Sequence, residues 1–338
     1  MIIILSSETT EQQVDNLKQH IESLGLTPHL SIGTFRTIIG VIGDESKIDA
    51  DQLSAYPGVS SVVPILPPYK LASLEAHPQA SVVEVGDVKI GGGHLCMISG
   101  PCSIESAEGL DAIASAVVAG GANILRGGAY KPRTSPYAFQ GMGIDGLKIL
   151  RQVGDRYNVP VVTEVTDPRN VEVVCEYADM LQVGARNMQN FVLLTEVGKC
   201  GKPVLIKRGM SATITDLLMS AEYVLAAGNQ KVVLCERGIK SFDSATRNLY
   251  DVAAVAAIKT LTHLPIIVDP SHATGRPDII PACAYAGLAA GADGVHIEVH
   301  DHPEKAFSDG PQALSPEEFA ATFKKLEELA SVFGGTFK

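Results

Sequence analysis

Ionisable side chains recur at the carboxyl ends of apolar segments in this chain. The residues at or just after those ends are Cys102, Arg126 with Lys131, Glu164, Arg186, Lys207 with Arg208, Glu236 with Arg237, Asp269 with His272, and Glu298. One such charge alone is best explained as a solvated loop residue. A series of eight predicts a shared functional surface, provided that the fold brings these segment ends together.

The cations of this series predict a substrate with more than one anionic group. Arginine forks match phosphate and carboxylate oxygens, and lysine adds a point charge beside them. The candidates are Arg126, Lys131, Arg133, Arg186, Lys207 and Arg237, in a chain whose net charge is −11. For Arg133 or Arg208 taken alone, an ion pair with a neighbouring carboxylate is an equally good interpretation.

A second candidate set combines a thiol, an imidazole and two carboxylates, a mixture that suits a divalent first-row metal ion. Its members are Cys102, His272, Glu298 and Asp309. Taken alone, His272 also fits a helix-capping role and Asp309 fits an ordinary Asp-Gly turn. His296, His300 and His302 stay open as competing imidazoles, because His296 and His300 alternate with Glu298 along one strand.

Strand and helix patterns alternate eight times after residue 94, which is typical of a (β/α)₈ TIM barrel. The strand patterns cover 95–99, 122–126, 160–164, 179–183, 203–207, 231–235, 265–269 and 294–298. In such a barrel the carboxyl ends of the strands meet at one mouth. The alternative is a doubly wound open sheet, but the first turn, Gly100-Pro101-Cys102-Ser103, lacks that fold's Gly-rich nucleotide pattern.

The first 66 residues predict a small separate α+β domain. Their patterns follow the order βαββαβ, which is the ferredoxin-like arrangement. Pro67 and Pro68 interrupt this order, so residues 67–80 are predicted to be a linker. The expected organisation is therefore an α/β chain with a domain at 1–66 and a catalytic barrel at 81–338. A short β-hairpin around Gly86-Asp87 precedes the barrel.

Composition excludes several classes of protein. The 338 residues are 46% hydrophobic and 19% charged, which fits a folded globular chain. The negative net charge argues against a nucleic-acid partner, and no apolar run is long enough for a signal peptide or a membrane span. We therefore expect a soluble, cytoplasmic protein. Its six cysteines are expected to be reduced, and all except Cys102 are interpreted as buried small hydrophobic residues.

Seven separated motifs resemble the signatures of the 3-deoxy-D-arabino-heptulosonate 7-phosphate (DAHP) synthase family, in the family's order. They are 100–106 (GPCSIES), 125–135 (LRGGAYKPRTS), 182–187 (QVGARN), 205–209 (LIKRG), 235–238 (CERG), 269–272 (DPSH) and 308–312 (SDGPQ). The resemblance runs from about Val82 to the C-terminus and is to the type I beta subgroup. The first domain resembles the ferredoxin-like regulatory module that some members carry.

This resemblance implies a transferase that condenses phosphoenolpyruvate with erythrose 4-phosphate in an aldol-like reaction and releases phosphate, the first step of the shikimate pathway. It implies one divalent metal ion, such as manganese, iron, cobalt or zinc. It also implies a homotetramer and feedback inhibition by tyrosine or phenylalanine through the N-terminal domain. On fold analogy alone, an oligomerising or stabilising role for that domain is the alternative.

By motif, the resemblance implies the following site residues. The metal ligands are Cys102, His272, Glu298 and Asp309. Phosphoenolpyruvate is bound by Arg126, Lys131, the backbone at Ala185, Arg186, Lys207 and Arg237. Erythrose 4-phosphate meets Lys131, Pro132, Arg133, Thr134 and Asp269. The catalytic groups are Lys131, Glu164, Lys207 and His272.

Three other functions stay open. The related 3-deoxy-D-manno-octulosonate 8-phosphate synthases use arabinose 5-phosphate, but they typically show Ala-Asn-Arg where this chain has Pro132-Arg133-Thr134. That difference favours the four-carbon acceptor. A Schiff-base aldolase would use Lys207 or Lys131 as its amine. A non-catalytic amino-acid sensor would be expected to lack part of the metal or phosphate set, and none is missing.

Overall fold

The first of two compact units is a four-stranded antiparallel sheet with two helices. The computed structural model describes residues 1–33, 35–44, 47–65 and 67–337, and it divides the chain into Met1–Pro68 and Tyr69–Lys338. The first unit contains β1 (Ile2–Leu5), α1 (Glu11–Ser23), β2 (Thr27–Ile32), β3 (Thr37–Ile42), α2 (Ala50–Ser54) and β4 (Val59–Val63). Its strand order, β2-β3-β1-β4, confirms the predicted ferredoxin-like arrangement.

Local sequence explains how this unit folds. Thr10 begins α1 with a capping box in which its side chain and that of Gln13 bond each other's backbone N–H groups. Period-two alternation in β1 turns Ile3 inward, and helical spacing brings Leu17 and Ile21 onto it. The unit therefore has a hydrophobic core of its own.

The second unit is a closed eight-stranded parallel barrel. Its strands are β7 (His94–Gly100), β8 (Ile124–Arg126), β9 (Val161–Val165), β10 (Met180–Val183), β11 (Val204–Lys207), β12 (Val232–Glu236), β13 (Ile266–Val268) and β14 (Gly294–Glu298). Each strand pairs with the next, and β14 closes the ring by pairing with β7, with Glu298 opposite Gly100. The predicted TIM barrel is confirmed.

Helices cover the outside of the barrel. They are α3 (Ala107–Ala119), α4 (Ile144–Tyr157), α5 (Val171–Tyr177), α6 (Phe191–Lys199), α7 (Ile214–Ala226), α8 (Val252–Lys259), α9 (Pro270–Thr274), α10 (Ile280–Ala289) and α11 (Pro316–Val332). A last strand, β15 (Thr336–Phe337), pairs with the start of β7. Within the described residues, no helix is both long and apolar enough to cross a membrane.

A hairpin closes the amino-terminal end of the barrel. It consists of β5 (Val83–Val85) and β6 (Val88–Ile90), whose four apolar side chains are buried. They pack with inward-facing residues of the barrel strands, such as Ile124 and Val162, near the beginnings of those strands. The interior is therefore sealed below, so the open mouth lies at the carboxyl ends of the strands.

Part of the segment assigned to a linker packs onto the barrel. Tyr69 and Ala72 belong to the barrel's main hydrophobic core. The Leu71 carbonyl accepts a hydrogen bond from His263 Nε2 at 2.8 Å, and the Leu74 N–H bonds the Leu261 carbonyl at 3.2 Å. Pro-rich sequence predicts an interruption of the domain, but it does not reveal which later residues regain contact.

The cysteines differ in part from the expectation. Cys96 and Cys235 are buried, as expected for small hydrophobic residues on barrel strands, and Cys102, which was not part of that expectation, is buried as well. Cys175, Cys200 and Cys283 are half-buried, because they lie on or beside the outer helices instead of on strands. The prediction of burial is wrong for these three, while all six thiols are free.

Candidate active site

The barrel mouth holds a cavity of about 360 Å³ that brings together most of the predicted site residues. Those lining it are Lys131, Pro132, Arg133, Thr134, Glu164, Ala185, Arg186, Lys207, Arg237, His272 and Asp309. Cys102, Arg126, Asp269 and Glu298 are buried and do not line the cavity. Cys102, Asp269 and Glu298 each contact a residue that does, and Arg126 contacts Glu298 and Cys102. The cavity lining and these four residues therefore include all the candidate metal-binding, substrate-binding and catalytic residues.

Four of these residues form a compact cluster of potential metal ligands. One ligand atom each from Cys102, His272, Glu298 and Asp309 lies within 4.8 Å of the others. Cys102 Sγ is 3.3 Å from Asp309 Oδ2, and His272 Nε2 is 3.2 Å from Glu298 Oε1. The donors are thiol, imidazole and carboxylate oxygens, which fits a divalent first-row metal ion.

Backbone positions explain this convergence. Cys102 follows β7 by two residues, and Glu298 is the last residue of β14, which is paired with β7. Asp309 adopts a left-handed backbone conformation with φ of 54°, which is uncommon for a residue other than glycine. Helix α9 is capped by Asp269, whose Oδ1 accepts from the His272 backbone N–H at 2.9 Å. The capping role thus belongs to Asp269, and the His272 ring reaches the cluster.

The three other candidate imidazoles, His296, His300 and His302, lie outside this four-residue cluster. His300 and His302 contact Asp301 and Glu304, at 3.1 and 3.4 Å, and neither belongs to the ligand cluster. His296 is fully buried and contacts Asp269. With Asp269 and His272 it forms a second group of potential ligand atoms within 4.8 Å of one another.

The surroundings shift the pKa of the Cys102 thiol and that of the Glu298 carboxyl in opposite directions. Burial raises the pKa of Cys102 to about 11 and Glu298 adds to the rise, although Lys131 and Arg126 oppose it. Burial also acts to raise the pKa of Glu298, but His272 and Arg126 hold it well below its usual range. Glu298 is therefore ionised, and a cation bound at Cys102 would displace the thiol proton.

Asp269 is the common partner of three side chains. Its Oδ2 accepts hydrogen bonds from Lys207 Nζ, from His272 Nδ1 at 2.7 Å and from His296 Nδ1 at 2.9 Å. Because His272 contacts Asp269 through Nδ1, Nε2 is the ring nitrogen that faces Glu298 and that would offer its lone pair to a bound cation. Although burial opposes ionisation, His272 and Lys207 hold the pKa of Asp269 well below its usual range.

The cations of the mouth divide into paired and unpaired groups. Arg126 is paired with Glu298 at 2.7 Å, and Arg208 with Glu236 and Asp251, both at 2.9 Å. The ion-pair interpretation is therefore correct for Arg208. In the described part of the chain, no carboxylate lies within ion-pair distance of Lys131, Arg133, Arg186 or Arg237. These four give the cavity an unneutralised positive charge.

Two functional contacts were missed by strand-end reasoning. Arg247 donates to Gln312 Oε1 at 2.6 Å and lies 3.5 Å from Asp309 Oδ1. Gln312 in turn donates to Glu298 Oε2, so a chain of contacts braces two of the cluster carboxylates. Arg247 lies far along the loop between β12 and α8, where no periodic signal predicts it. Gln312 belongs to the 308–312 motif, and this membership is the sequence signal that could have identified it.

A closed (β/α)₈ barrel with a Cys/His/Glu/Asp cluster and unpaired cations at its mouth defines an enzyme class that acts on small anionic substrates. The family profile described as "DAHP synthetase I family" matches residues 72–332. A second profile, "DAHP synthase ferredoxin-like domain", matches residues 1–67. The chain belongs to the DAHP synthetase I family and is a transferase-type synthase, which confirms the resemblance.

The chain is similar to relatives that carry two different names. The chain is 48% identical to phospho-2-dehydro-3-deoxyheptonate aldolase of Thermotoga maritima over 334 residues, which cover 99% of each chain. It is 35% identical to 2-dehydro-3-deoxyphosphooctonate aldolase of Koribacter versatilis over 254 residues, 68% of this chain and 89% of the relative. The crystal structure of the Thermotoga maritima DAHP synthase matches with a TM-score of 0.95 at 47% identity, covering 100% of this chain and 99% of that one.

Proposed function

We propose that the barrel condenses phosphoenolpyruvate with erythrose 4-phosphate to give DAHP and inorganic phosphate, with one divalent metal ion held by Cys102, His272, Glu298 and Asp309. The single observation that carries this proposal is the juxtaposition at one mouth of that cluster, within 4.8 Å, and a cavity lined by unpaired cations. Phosphoenolpyruvate brings a carboxylate and a phosphate, so it matches such a cavity.

The two substrates divide the cavity between them. Phosphoenolpyruvate is held by Arg186, Arg237, Lys131 and Lys207, by the buried Arg126 and by the backbone of Ala185. The loop at Lys131, Pro132, Arg133 and Thr134 holds the sugar phosphate, because it lines the cavity and Arg133 donates at 2.7 Å to Ser308 Oγ, in the residue that precedes the proposed ligand Asp309. Asp269 acts on this end of the site through Lys207 and His272, both of which it binds.

The chemistry joins two carbon atoms and then breaks a C–O bond. C3 of phosphoenolpyruvate attacks the aldehyde carbon of the sugar, water adds at C2, and the phosphate leaves with its bridging oxygen. The bound metal ion supplies Lewis-acid polarisation of the aldehyde oxygen. His272 contributes by keeping a lone pair on Nε2 for the cluster, which its bond to Asp269 fixes.

We assign proton transfer to two residues. Lys131 Nζ lies 3.0 Å from Cys102 Sγ, so its ammonium group can donate a proton to an oxygen held at the cluster. Burial acts against the charge of Lys131, but Cys102 and Glu164 raise its pKa, so the ammonium form persists. Glu164 lines the cavity and packs against Gly184, where a side chain would collide with its carboxylate. Glu164 accepts the proton of the attacking water.

The identity of the acceptor sugar is tested by comparing two sugar phosphates in separate assays. The purified chain, loaded with manganese, is assayed for phosphate release with phosphoenolpyruvate and either erythrose 4-phosphate or arabinose 5-phosphate. We expect a kcat/KM at least tenfold higher with the four-carbon sugar and a seven-carbon product by mass spectrometry. Preference for arabinose 5-phosphate would contradict the proposed acceptor while leaving the metal and phosphoenolpyruvate sites intact.

We further propose that tyrosine or phenylalanine inhibits the enzyme through residues 1–66. The first unit has its own core and a cavity of about 560 Å³ lined by Ser6, Ser7, Phe35 and Arg36 among others. An arginine beside an aromatic ring and hydroxyl groups suits the carboxylate, ring and ammonium group of an aromatic amino acid. The alternative role, oligomerisation or stabilisation, predicts no binding.

A shortened chain tests this regulatory role. It should begin at Pro67, so that Tyr69 stays in the barrel core. We expect it to remain active and to lose inhibition, because an inhibitor acts only through a state that it binds preferentially. In the full chain, Arg36→Gln should weaken inhibition without changing kcat. Equal inhibition of the full and shortened chains would place the effector site in the barrel.

The family resemblance also supports a homotetramer. Light scattering of the full chain and of the shortened chain tests this proposal, and a monomeric full chain would contradict it.

A further inference from the structure

His296 occupies an unusual position inside the barrel. It lies on β14 two residues before Glu298, and its side chain is fully buried. Its Nδ1 is 2.9 Å from Asp269 Oδ2, the same oxygen that accepts from His272 Nδ1 at 2.7 Å. The two imidazole rings are almost parallel, at 8°, with centroids 6.2 Å apart. Asp269 is therefore held by two imidazoles and by Lys207.

The contact fixes where the proton of His296 resides. Asp269 Oδ2 also faces Lys207 Nζ, an ammonium group that can only donate, so this oxygen is an acceptor and Nδ1 of His296 is the donor. Its Nε2 then carries a lone pair, which is buried and has no hydrogen-bond partner among the described residues. An unpaired buried acceptor is destabilising.

Packing alone does not explain a histidine at this place. Its register partner on β7 is Ile98, and the barrel interior around that residue is filled by apolar side chains such as Val233 and Ile267. An aliphatic residue at position 296 would fill the space without the unpaired nitrogen. What His296 supplies, and an aliphatic residue does not, is the hydrogen bond from Nδ1 to Asp269.

We propose that His296 is a positioning residue for the metal cluster, because it holds the Asp269 carboxylate in the orientation that directs His272 toward Glu298 and keeps Lys207 at the cavity. This inference rests on the metal site proposed above. Losing the hydrogen bond frees Asp269 Oδ2 to rotate, so His272 loses its fixed orientation. Replacing a residue that orients a metal-bound histidine typically weakens metal binding roughly ten- to hundredfold.

The test compares three variants of the full chain by cobalt titration after metal removal. His296→Met fills a similar volume without the donor, His296→Asn restores an N–H at the same branch point, and Ile98→Val changes packing in the same layer. Binding is followed by calorimetry and by thiolate-to-cobalt absorption. We expect His296→Met to weaken cobalt binding roughly ten- to hundredfold, His296→Asn to recover most of it, and Ile98→Val to match the wild type.

Several outcomes overturn the proposal. Wild-type affinity in His296→Met would show that the hydrogen bond does not matter. Equal weakening in His296→Met and His296→Asn would show that an N–H donor at this position does not restore binding. If either variant fails to fold, ¹⁵N NMR of the wild-type chain tests which ring nitrogen of His296 carries the proton. A proton on Nε2 instead of Nδ1 would overturn the proposal. A wild-type chain that binds no cobalt through a thiolate refutes the proposed metal site itself, and this inference with it.

Discussion

Arg237 and Arg208 form a natural pair for separating substrate binding from stability. Both are almost completely buried, each 4% exposed, and both lie at the barrel mouth. Arg208 is neutralised by Glu236 and Asp251, whereas no carboxylate in the described part of the chain pairs with Arg237. Burial lowers the pKa of Arg237, and the charge of Asp269 only partly opposes this effect. An unpaired buried guanidinium is costly unless an anion arrives.

The perturbation is replacement of each arginine by methionine. A hydrogen bond between charged groups contributes about 1.5–3 kcal/mol, so Arg237→Met should raise the KM of phosphoenolpyruvate roughly ten- to hundredfold. The same change removes an unpaired charge, so the Tm of the unliganded chain should stay constant or rise by about 2–4 °C. Arg208→Met leaves Glu236 unpaired, costs about 3–5 kcal/mol and should lower the Tm by on the order of 10 °C.

The assays are steady-state kinetics with phosphoenolpyruvate varied and calorimetric unfolding without substrate. Opposite patterns are expected: a large kinetic effect without destabilisation for Arg237, and destabilisation for Arg208. If Arg237→Met lowers the Tm as far as Arg208→Met and leaves the KM of phosphoenolpyruvate unchanged, then Arg237 is a structural residue and the reasoning is refuted.

Three further predictions concern other parts of the molecule. Arg133→Ala should raise the KM of erythrose 4-phosphate roughly ten- to hundredfold, a loss of about 1.5–3 kcal/mol, and spare that of phosphoenolpyruvate; equal effects on both substrates would contradict the loop assignment. Burial lowers the pKa of His263, so below about pH 6.5 the unfolded chain gains a proton that the folded chain excludes. The free energy of unfolding, measured with urea at pH 7.5 and 5.5, should therefore decrease as the pH is lowered. The decrease should be smaller in His263→Gln, and an equal decrease in both chains would contradict this. A hydrogen bond shared by Cys175 and Cys200 lowers the pKa of one thiol of this pair, whereas burial raises the pKa of Cys283. Iodoacetamide at pH 7 should therefore label the Cys175–Cys200 pair first, as peptide mass spectrometry can show; preferential labelling of Cys283 would contradict it.

Much of the site was predictable because barrel chemistry follows a simple positional rule. Glu298 and Lys207 end apolar strands, and Arg237 directly follows the end of one, so periodicity and strand ends locate them without tertiary information. The relation between neighbours was not predictable in the same way. Period-two alternation placed His296 on the face of Glu298, but it could not show that His296 would contact Asp269, the partner of His272.

Other features depend on contacts that local sequence does not encode. Arg247 reaches Asp309 from a long loop, whose course is set by tertiary packing. Tyr69 follows two prolines and looks like part of a linker, yet it is buried in the barrel core. Cys175 and Cys200 sit in apolar stretches that also suit a buried strand, and helical geometry turns them toward the surface.

The proposed metal-dependent condensation of phosphoenolpyruvate with erythrose 4-phosphate is tested most directly by titrating the metal-stripped chain with manganese while phosphate release and DAHP formation are followed together. We expect no activity without metal, full activity at one equivalent per chain, and no recovery in Cys102→Ser at that stoichiometry. Full DAHP formation by the metal-free chain would contradict it.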